Sequence, residues 1–185
     1  MQKLQEQQKK AAPALREKFG YKSVMMVPRI EKVTVNTSFG RLISGKGSDD
    51  QRKTAEEIVK DLTIITGQKA QITQAKKSIA AFKTRAGMPV GAKVTLRGTR
   101  MFDFLDRLIH IMLPRTRDFR GIKSSSVDKE GNLTLGIREH IFFPEISPEK
   151  VRNIFGLEVT ITTSAKTREE GLELFSALGF PFTKS

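Results

Sequence analysis

The clearest periodicity in the chain is alternation. From Ile30 to Thr37, Val33 and Val35 alternate with Lys32, Thr34 and Asn36, the pattern of a strand with one buried face. Residues 91–98 repeat it more cleanly, with Ala92, Val94 and Leu96 inward and Lys93, Thr95 and Arg97 outward. Further strands are predicted at 69–75, with Ala70 and Ile72 opposite Lys69, Gln71 and Thr73, at 133–138 (Leu133, Leu135, Ile137 inward) and at 157–163 (Leu157, Val159, Ile161 inward).

Helical spacing fills the intervals. Residues 2–19 form a weakly amphipathic polar helix, with Leu4, Ala11, Leu15 and Phe19 on one side and Pro13 breaking it or starting its second part. Residues 40–50 have loop composition. A helix from about 51 to 66 follows, with Thr54 and Glu57 as a capping box, Ala55, Ile58, Val59, Leu62 and Ile65 on one face, and Gly67 as its stop. A helix over about 100–113 buries Met101, Leu105, Leu108 and Met112, turns Asp103, Arg107 and His110 to water and ends at Pro114. Thr167 and Glu170 cap a last helix carrying Leu174, Phe175 and Leu178, closed by Gly179 and Pro181. Strands with one buried face imply an α+β fold: an antiparallel or mixed sheet of about five strands, helices packed on one side, and one domain over 1–185.

The 185 residues include no cysteine, which excludes disulfides and thiolate metal sites, and no apolar run is long enough to span a bilayer. The N-terminal residues lack a signal-peptide apolar core, so the expected location is the cytoplasm. Lys and Arg number 33 against 20 Asp and Glu, a net charge of +13. This exceeds the roughly 2 to 8 charges that solubility asks of a small domain, and predicts affinity for polyanions through counterion release.

Enzyme chemistry finds no foothold. His110 and His140 lie thirty residues apart with no metal-ligand spacing, and no cofactor or metal is implied. Asp49–Asp50 and Glu169–Glu170 sit near predicted helix starts, where the helix dipole favours them. Gly40-Arg-Leu-Ile-Ser-Gly45-Lys46-Gly47 approaches a phosphate-binding loop, but Gly47 stands where the magnesium-holding hydroxyl belongs.

The charge is unevenly spread. Between Lys69 and Arg100 lie Lys69, Lys76, Lys77, Lys83, Arg85, Lys93, Arg97 and Arg100, with no Asp or Glu. Outward strand positions interleave cations with hydroxyl and amide groups, which suits backbone and 2′-hydroxyl contacts on shaped RNA. The connection 76–90 is long for an inter-strand loop, and such loops are commonly functional or disordered. Its expected features are protrusion, exposed Ile79, Phe82 and Met88, and order gained on binding. A second basic cluster, Pro114-Arg-Thr-Arg-Asp-Phe-Arg-Gly121 with Lys123, has the character of a phosphate contact through Arg115, Arg117 and Arg120. With no tryptophan and one tyrosine, recognition of folded, double-stranded RNA is expected over base stacking. A DNA-compacting protein and a nucleotide hydrolase using Lys46 are the competing readings.

Several blocks also carry a resemblance. Tyr21-Lys-Ser-Val, Val27-Pro-Arg-Ile-Glu-Lys, Thr66-Gly-Gln, Ala75-Lys-Lys-Ser-Ile-Ala, Gly91-Ala-Lys-Val-Thr-Leu-Arg-Gly, Pro114-Arg-Thr-Arg-Asp-Phe-Arg-Gly, Gly131-Asn, Phe143-Pro-Glu-Ile and Pro181-Phe, in this order, resemble the bacterial large-subunit ribosomal protein "L five" family. The resemblance implies a non-enzymatic protein on the ribosome that binds 5S rRNA and touches 23S rRNA. Its other implied partners are P-site tRNA, neighbouring 5S-binding ribosomal proteins and a small-subunit head protein. It implies 5S contacts at Asn36, Gln68 and Thr95. Lys32, Thr34, Lys69, Thr73, Lys93 and Arg97 are the outward strand candidates around them. Lys76, Lys77, Ser78, Lys83 and Arg85 fall in the family's tRNA-facing loop, and Arg115, Arg117, Arg120 and Lys123 are candidates for other RNA or protein contacts. The chain departs from the family pattern at Thr37-Ser-Phe-Gly40, in a longer 41–51 loop, and at Gln71, where an aliphatic residue is usual.

Overall fold

In a computed structural model that describes residues 3–117 and 119–183, the alternating segments form a five-stranded antiparallel sheet accompanied by helices, an α+β fold as expected. The elements run α1 (Lys3–Phe19), β1 (Ile30–Ser38), α2 (Gly40–Ile43), α3 (Ser48–Thr66), β2 (Gln71–Gln74), β3 (Pro89–Leu96), α4 (Gly98–Arg107), α5 (Leu113–Arg115), β4 (Leu133–Ile137), β5 (Leu157–Thr163) and α6 (Arg168–Ala177). The strand order is β2-β3-β1-β5-β4. Two compact units divide the chain: Met1–Thr34, Leu96–Leu135 and Val159–Ser185 form the first, Val35–Thr95 and Gly136–Glu158 the second.

In the first unit α1 packs against α4 and α6. Leu4 and Leu15 are its buried residues, while Ala11 and Phe19 are half-buried. Pro13 neither breaks nor starts a helix; α1 runs through it. The carbonyl its missing N–H would have bonded belongs to exposed Lys9, where water can serve. The helix after β3 starts at Gly98, two residues early, and does not end at Pro114. A π-helical turn, Leu108–Met112, follows α4, and α5 holds Pro114 within its single turn. The Leu113 N–H reaches back to Leu108 O, and Pro114 has no N–H to extend that wider spacing. Asp103 and Arg107 are half-buried rather than water-facing, and only His110 is exposed as expected.

The expected capping box closes α6. Thr167 accepts from Glu170 N, and the Glu170 carboxylate accepts from Thr167 N and Lys166 N. Helix and turn meet without side chains at Gly171 and Gly131, where a Cβ on Gly171 would stand 2.5 Å from Gly131 Cα. Asn132 fastens the same turn: its Oδ1 accepts from Thr163 N at 3.0 Å, and its N–H groups donate to the Asp128 carboxylate.

In the second unit α3 buries Ala55, Ile58, Leu62 and Ile65 and ends in left-handed Gly67, as its periodicity predicts; Val59 is only half-buried. Its start differs. The helix begins at Ser48 after Gly47, with no side-chain cap, and the short α2 occupies part of the supposed loop. Thr54 and Glu57 therefore lie inside the helix and cap nothing. Thr54 is buried and accepts from Lys46 Nζ at 3.2 Å, and Glu57 accepts from Arg152 at 3.1 Å. Asp49 and Asp50 in the first turn meet the helix dipole where a cap residue is missing. Lys46 Nζ, the lysine of the near-motif, is engaged with Thr54 Oγ1.

His140 is fully buried and stacks on Phe155 at 3.9 Å between centroids. Its Nδ1 accepts from Phe155 N at 3.4 Å, which leaves the proton on Nε2, 3.7 Å from Asp61 Oδ2. Burial pushes the imidazole below its ordinary pKa and raises the Asp61 carboxyl.

Two outcomes follow from these packing arrangements. Thr167→Ala should cost about 1 kcal/mol through the lost cap, and Gly171→Ala more than that, since its methyl meets backbone; urea midpoints rank the two. A histidine with a depressed folded-state pKa contributes its full stability above its unfolded value, ~6.5, and loses that contribution as pH falls through it. Asp61, shifted upward, acts in the opposite sense and is present in both proteins compared. Between about pH 7 and 5.5 the wild type should therefore lose stability faster than His140→Phe; parallel profiles would show that His140 is not the titrating group.

Candidate nucleic-acid interface

The second unit gathers six of the eight cations of the acid-free stretch, and each of them is solvent-exposed: Lys69, Lys76, Lys77, Lys83, Arg85 and Lys93. Among the described residues none has an ion-pair partner. The remaining two, Arg97 and Arg100, are exposed in the first unit.

Backbone pairing sets the order of groups on the outward face. β2 and β3 run antiparallel, with Gln71 opposite Lys93, Ile72 opposite Ala92 and Thr73 opposite Gly91. Directly opposed residues share a face, so Gln71, Thr73, Lys93 and Thr95 lie together. Asn36 and Ser38 are exposed at the end of β1, beside β3 in the sheet order, where the Ser38 hydroxyl lies 3.4 Å from Val90 O. No acid stands among these six. Gly91 belongs to the same face but has no room for a side chain: a Cβ would be 2.6 Å from Thr37 O and 2.8 Å from Thr73 Oγ1.

Gln68 holds a different position from the strand residues. Left-handed Gly67 turns the chain out of α3, and Gln68 Nε2 then donates to Thr95 O at 3.1 Å. Its amide nitrogen is engaged with β3, and its side-chain oxygen is what remains for a ligand. Thr66 Oγ1 and Thr63 Oγ1 hold the same turn, on Gln68 O at 3.0 Å and from Ala70 N at 3.1 Å.

Gln71 is not among the sequence candidates, although it shares the outward face with Lys93. The alternation of 69, 71 and 73 already placed it outward, but only its departure from the aliphatic pattern drew notice. Thr37, the first residue to differ after Asn36, is buried, and its hydroxyl donates to Gly156 O at 2.8 Å. The departure supplies a buried polar contact of its own. The expectation that Ile72 is a core residue fails. β2 is the edge strand, only four residues long and with a register shift at Thr73/Gln74, and Ile72 is 38% exposed.

The connection after β2 is shorter and more folded than expected. Pro89 and Val90 belong to β3, leaving 75–88, and Ala75 pairs with Met88 and Gly87 at its base. That closure turns Met88 inward, 7% exposed rather than free. Ile79 and Thr84 exchange both backbone hydrogen bonds around a turn at Ala80–Phe82, and Ala86 N donates to Ser78 Oγ at 2.9 Å. A stretch with these bonds is not an unstructured arm, and the Ser78 hydroxyl already serves the turn. Ile79 and Phe82 are exposed as expected, at 46% and 70%.

The other candidates lie in the first unit. Lys32 and Thr34 are half-buried on β1. Arg97 precedes α4, and Arg115, Arg117, Arg120 and Lys123 are all exposed around and after α5; Asp118 of that cluster lies outside the described residues. Among the described residues no three His, Asp or Glu gather as a metal site, and no helix is long and apolar enough to cross a membrane.

Comparison with known proteins joins the two parts of the chain. Residues 23–85 match the family described as ribosomal protein L5, and residues 89–182 match the model for the C-terminus of the same ribosomal family. The chain is 53% identical over 173 residues to the large ribosomal subunit protein uL5 of Alkaliphilus oremlandii, covering 94% of this chain and 93% of that protein. It is 56% identical over 170 residues to the protein of the same name from Colwellia psychrerythraea, covering 92% and 91%. With identity of this level along nearly its whole length, the chain belongs to the ribosomal protein L5 (uL5) family.

Proposed function

We propose that this chain is a structural, non-catalytic component of the large ribosomal subunit, acting in the cytoplasm, that binds 5S rRNA through the outward face of β2 and β3 and the end of β1. The acid-free set Asn36, Gln71, Thr73, Lys93 and Thr95 carries this reading. Amide and hydroxyl groups read sugar 2′-hydroxyls and base edges, while Lys93 and the flanking Lys69 meet phosphates. Gln68 contributes chiefly by fixing the Thr95 backbone, with its free amide oxygen available to a ribose hydroxyl.

The other assignments concern separate surfaces. Lys32, Thr34 and Arg97 are candidate RNA contacts of the first unit. Arg115, Arg117, Arg120 and Lys123 form a cationic group suited to 23S rRNA or to a neighbouring 5S-binding protein. The 75–88 turn, with Lys76, Lys77, Lys83 and Arg85, is assigned to P-site tRNA and to a small-subunit head protein. A DNA-compacting role draws on charge alone and requires none of the ordered polar groups between the cations.

Binding to 5S rRNA, measured against duplex DNA of equal length at matched salt, should favour the RNA; equal affinity would sink the proposal. Asn36→Ala and Thr95→Val should each weaken 5S binding by about fivefold, the worth of one hydrogen bond. Lys93→Ala should lower the salt-dependence slope by about one. Lys83→Ala with Arg85→Ala should leave 5S binding intact and reduce tRNA binding to reconstituted ribosomes, and loss of 5S binding in that double variant would mean the surface is divided wrongly.

A further inference from the structure

An open concavity of about 940 Å³ lies in the second unit between α2 and the 75–88 turn. Its wall includes Arg41, Lys76, Lys77 and Lys83, the hydroxyl-bearing Ser38 and Ser44, and Phe82. Among the described residues no acid lines it and none of the four cations has an ion-pair partner. Phe82 shares no ring contact with another aromatic side chain among those residues, and it stays 70% exposed.

The backbone that carries the ring is ordered. Ile79 and Thr84 pair across the turn, and Lys83 takes a left-handed conformation, φ +51°, that few non-glycine residues adopt. The concavity therefore has an aromatic face and four cations in its wall. A paired base has both faces occupied by its neighbours in the helix and has none to offer such a ring. An unpaired base has a free face, and base–aromatic stacking accepts any base. The concavity falls within the size range of small-ligand sites, roughly 300 to 1,000 Å³. That range suits a nucleotide and is too small for a duplex. The cations exclude a basic peptide, and the absence of carboxylates favours a polyanion over a mixed-charge protein surface.

We propose that this concavity receives a single unpaired nucleotide of RNA, its base stacked on Phe82 and its flanking phosphates held by Arg41, Lys76, Lys77 and Lys83. The inference deepens the proposed function and rests on its reading of this unit as RNA-binding. It adds base stacking at one position to a chain whose sequence favours folded, double-stranded RNA over base stacking.

The test uses the full chain and two RNA duplexes of equal length at one salt concentration. One is fully paired; the other carries a single bulged 2-aminopurine. The bulged RNA should bind about five- to tenfold more tightly, the lower range for stacking on one aromatic side chain, and its fluorescence should fall on binding. Phe82→Ala should abolish both effects, and Phe82→Tyr should keep them. Phe82 is exposed, so the folded state of each variant is checked by its urea midpoint. Equal affinity for the two duplexes, or an unchanged preference in Phe82→Ala, overturns the nucleotide site even where wild type still favours 5S rRNA over DNA. A chain that prefers the bulged duplex but not 5S rRNA overturns the proposed function and leaves the site standing. Bulged-RNA affinity unchanged while Phe82→Ala loses binding to a ribosomal protein would reassign the ring to a protein partner.

Discussion

The close approach of three strand segments at Gly91 is the constraint on which the candidate interface depends. Thr37 O and Thr73 Oγ1 both occupy the space a Cβ would need. Only glycine lets β3 lie so near its neighbours, and that nearness ties Thr73 to its partner on β3. Register follows from it. Lys93 stands opposite Gln71, and Thr95 falls where Gln68 can donate to its carbonyl. A slip of one residue would exchange every inward and outward side chain of the strand. Val94 and Ala92 would then meet solvent, and the polar groups that give the face its chemistry would be buried without partners.

The electrostatics of the second unit depend on where its acids are engaged. Glu56 pairs with Arg52, Glu57 with Arg152, and Asp61 lies against His140. Asp49 and Asp50 occupy the first turn of α3. These carboxylates serve helix ends, helix surface and a buried histidine. The strand face and the 75–88 turn carry cations with no acid among them, so their field is not neutralised locally. Exposed charges of this kind add little to stability when paired. Left unpaired, they remain available to attract and hold a polyanion.

Much of this arrangement was legible in the sequence wherever a local signal and the tertiary environment agreed. The alternation of Val33, Val35, Ala92, Val94 and Leu96 predicted which side faces the core, and Thr167 and Glu170 predicted the start of α6. Errors arose where the deciding interaction is distant or made by backbone. Gly47 precedes α3 without offering a side-chain cap, so the Thr54–Glu57 pair drew the expected cap into what is the helix interior. Ile72 has core chemistry but sits on an edge strand with a register shift. The π-helical turn before Pro114 depends on the Leu113–Leu108 hydrogen bond, and nothing in that pentapeptide announces it. The family resemblance named Asn36, Gln68 and Thr95 without giving their geometry. It did not indicate that Gln68 spends its amide on a neighbouring carbonyl.

The 75–88 turn shows why composition misjudges such a segment. Its length and its cations read as a mobile arm, since few of its residues can build a core. Order comes instead from backbone pairs at its base and tip, which lower the conformational entropy without burying much apolar surface. Lys83 remains left-handed, a conformation costing on the order of 1 kcal/mol for a non-glycine residue. Glycine would avoid that cost but would also free the tip to sample many conformations. Lysine in this place keeps the turn narrow and sets a cation next to the Phe82 ring. The tip thus joins an aromatic side chain on an ordered backbone to unpaired charge, whereas a flexible basic tail would offer charge alone.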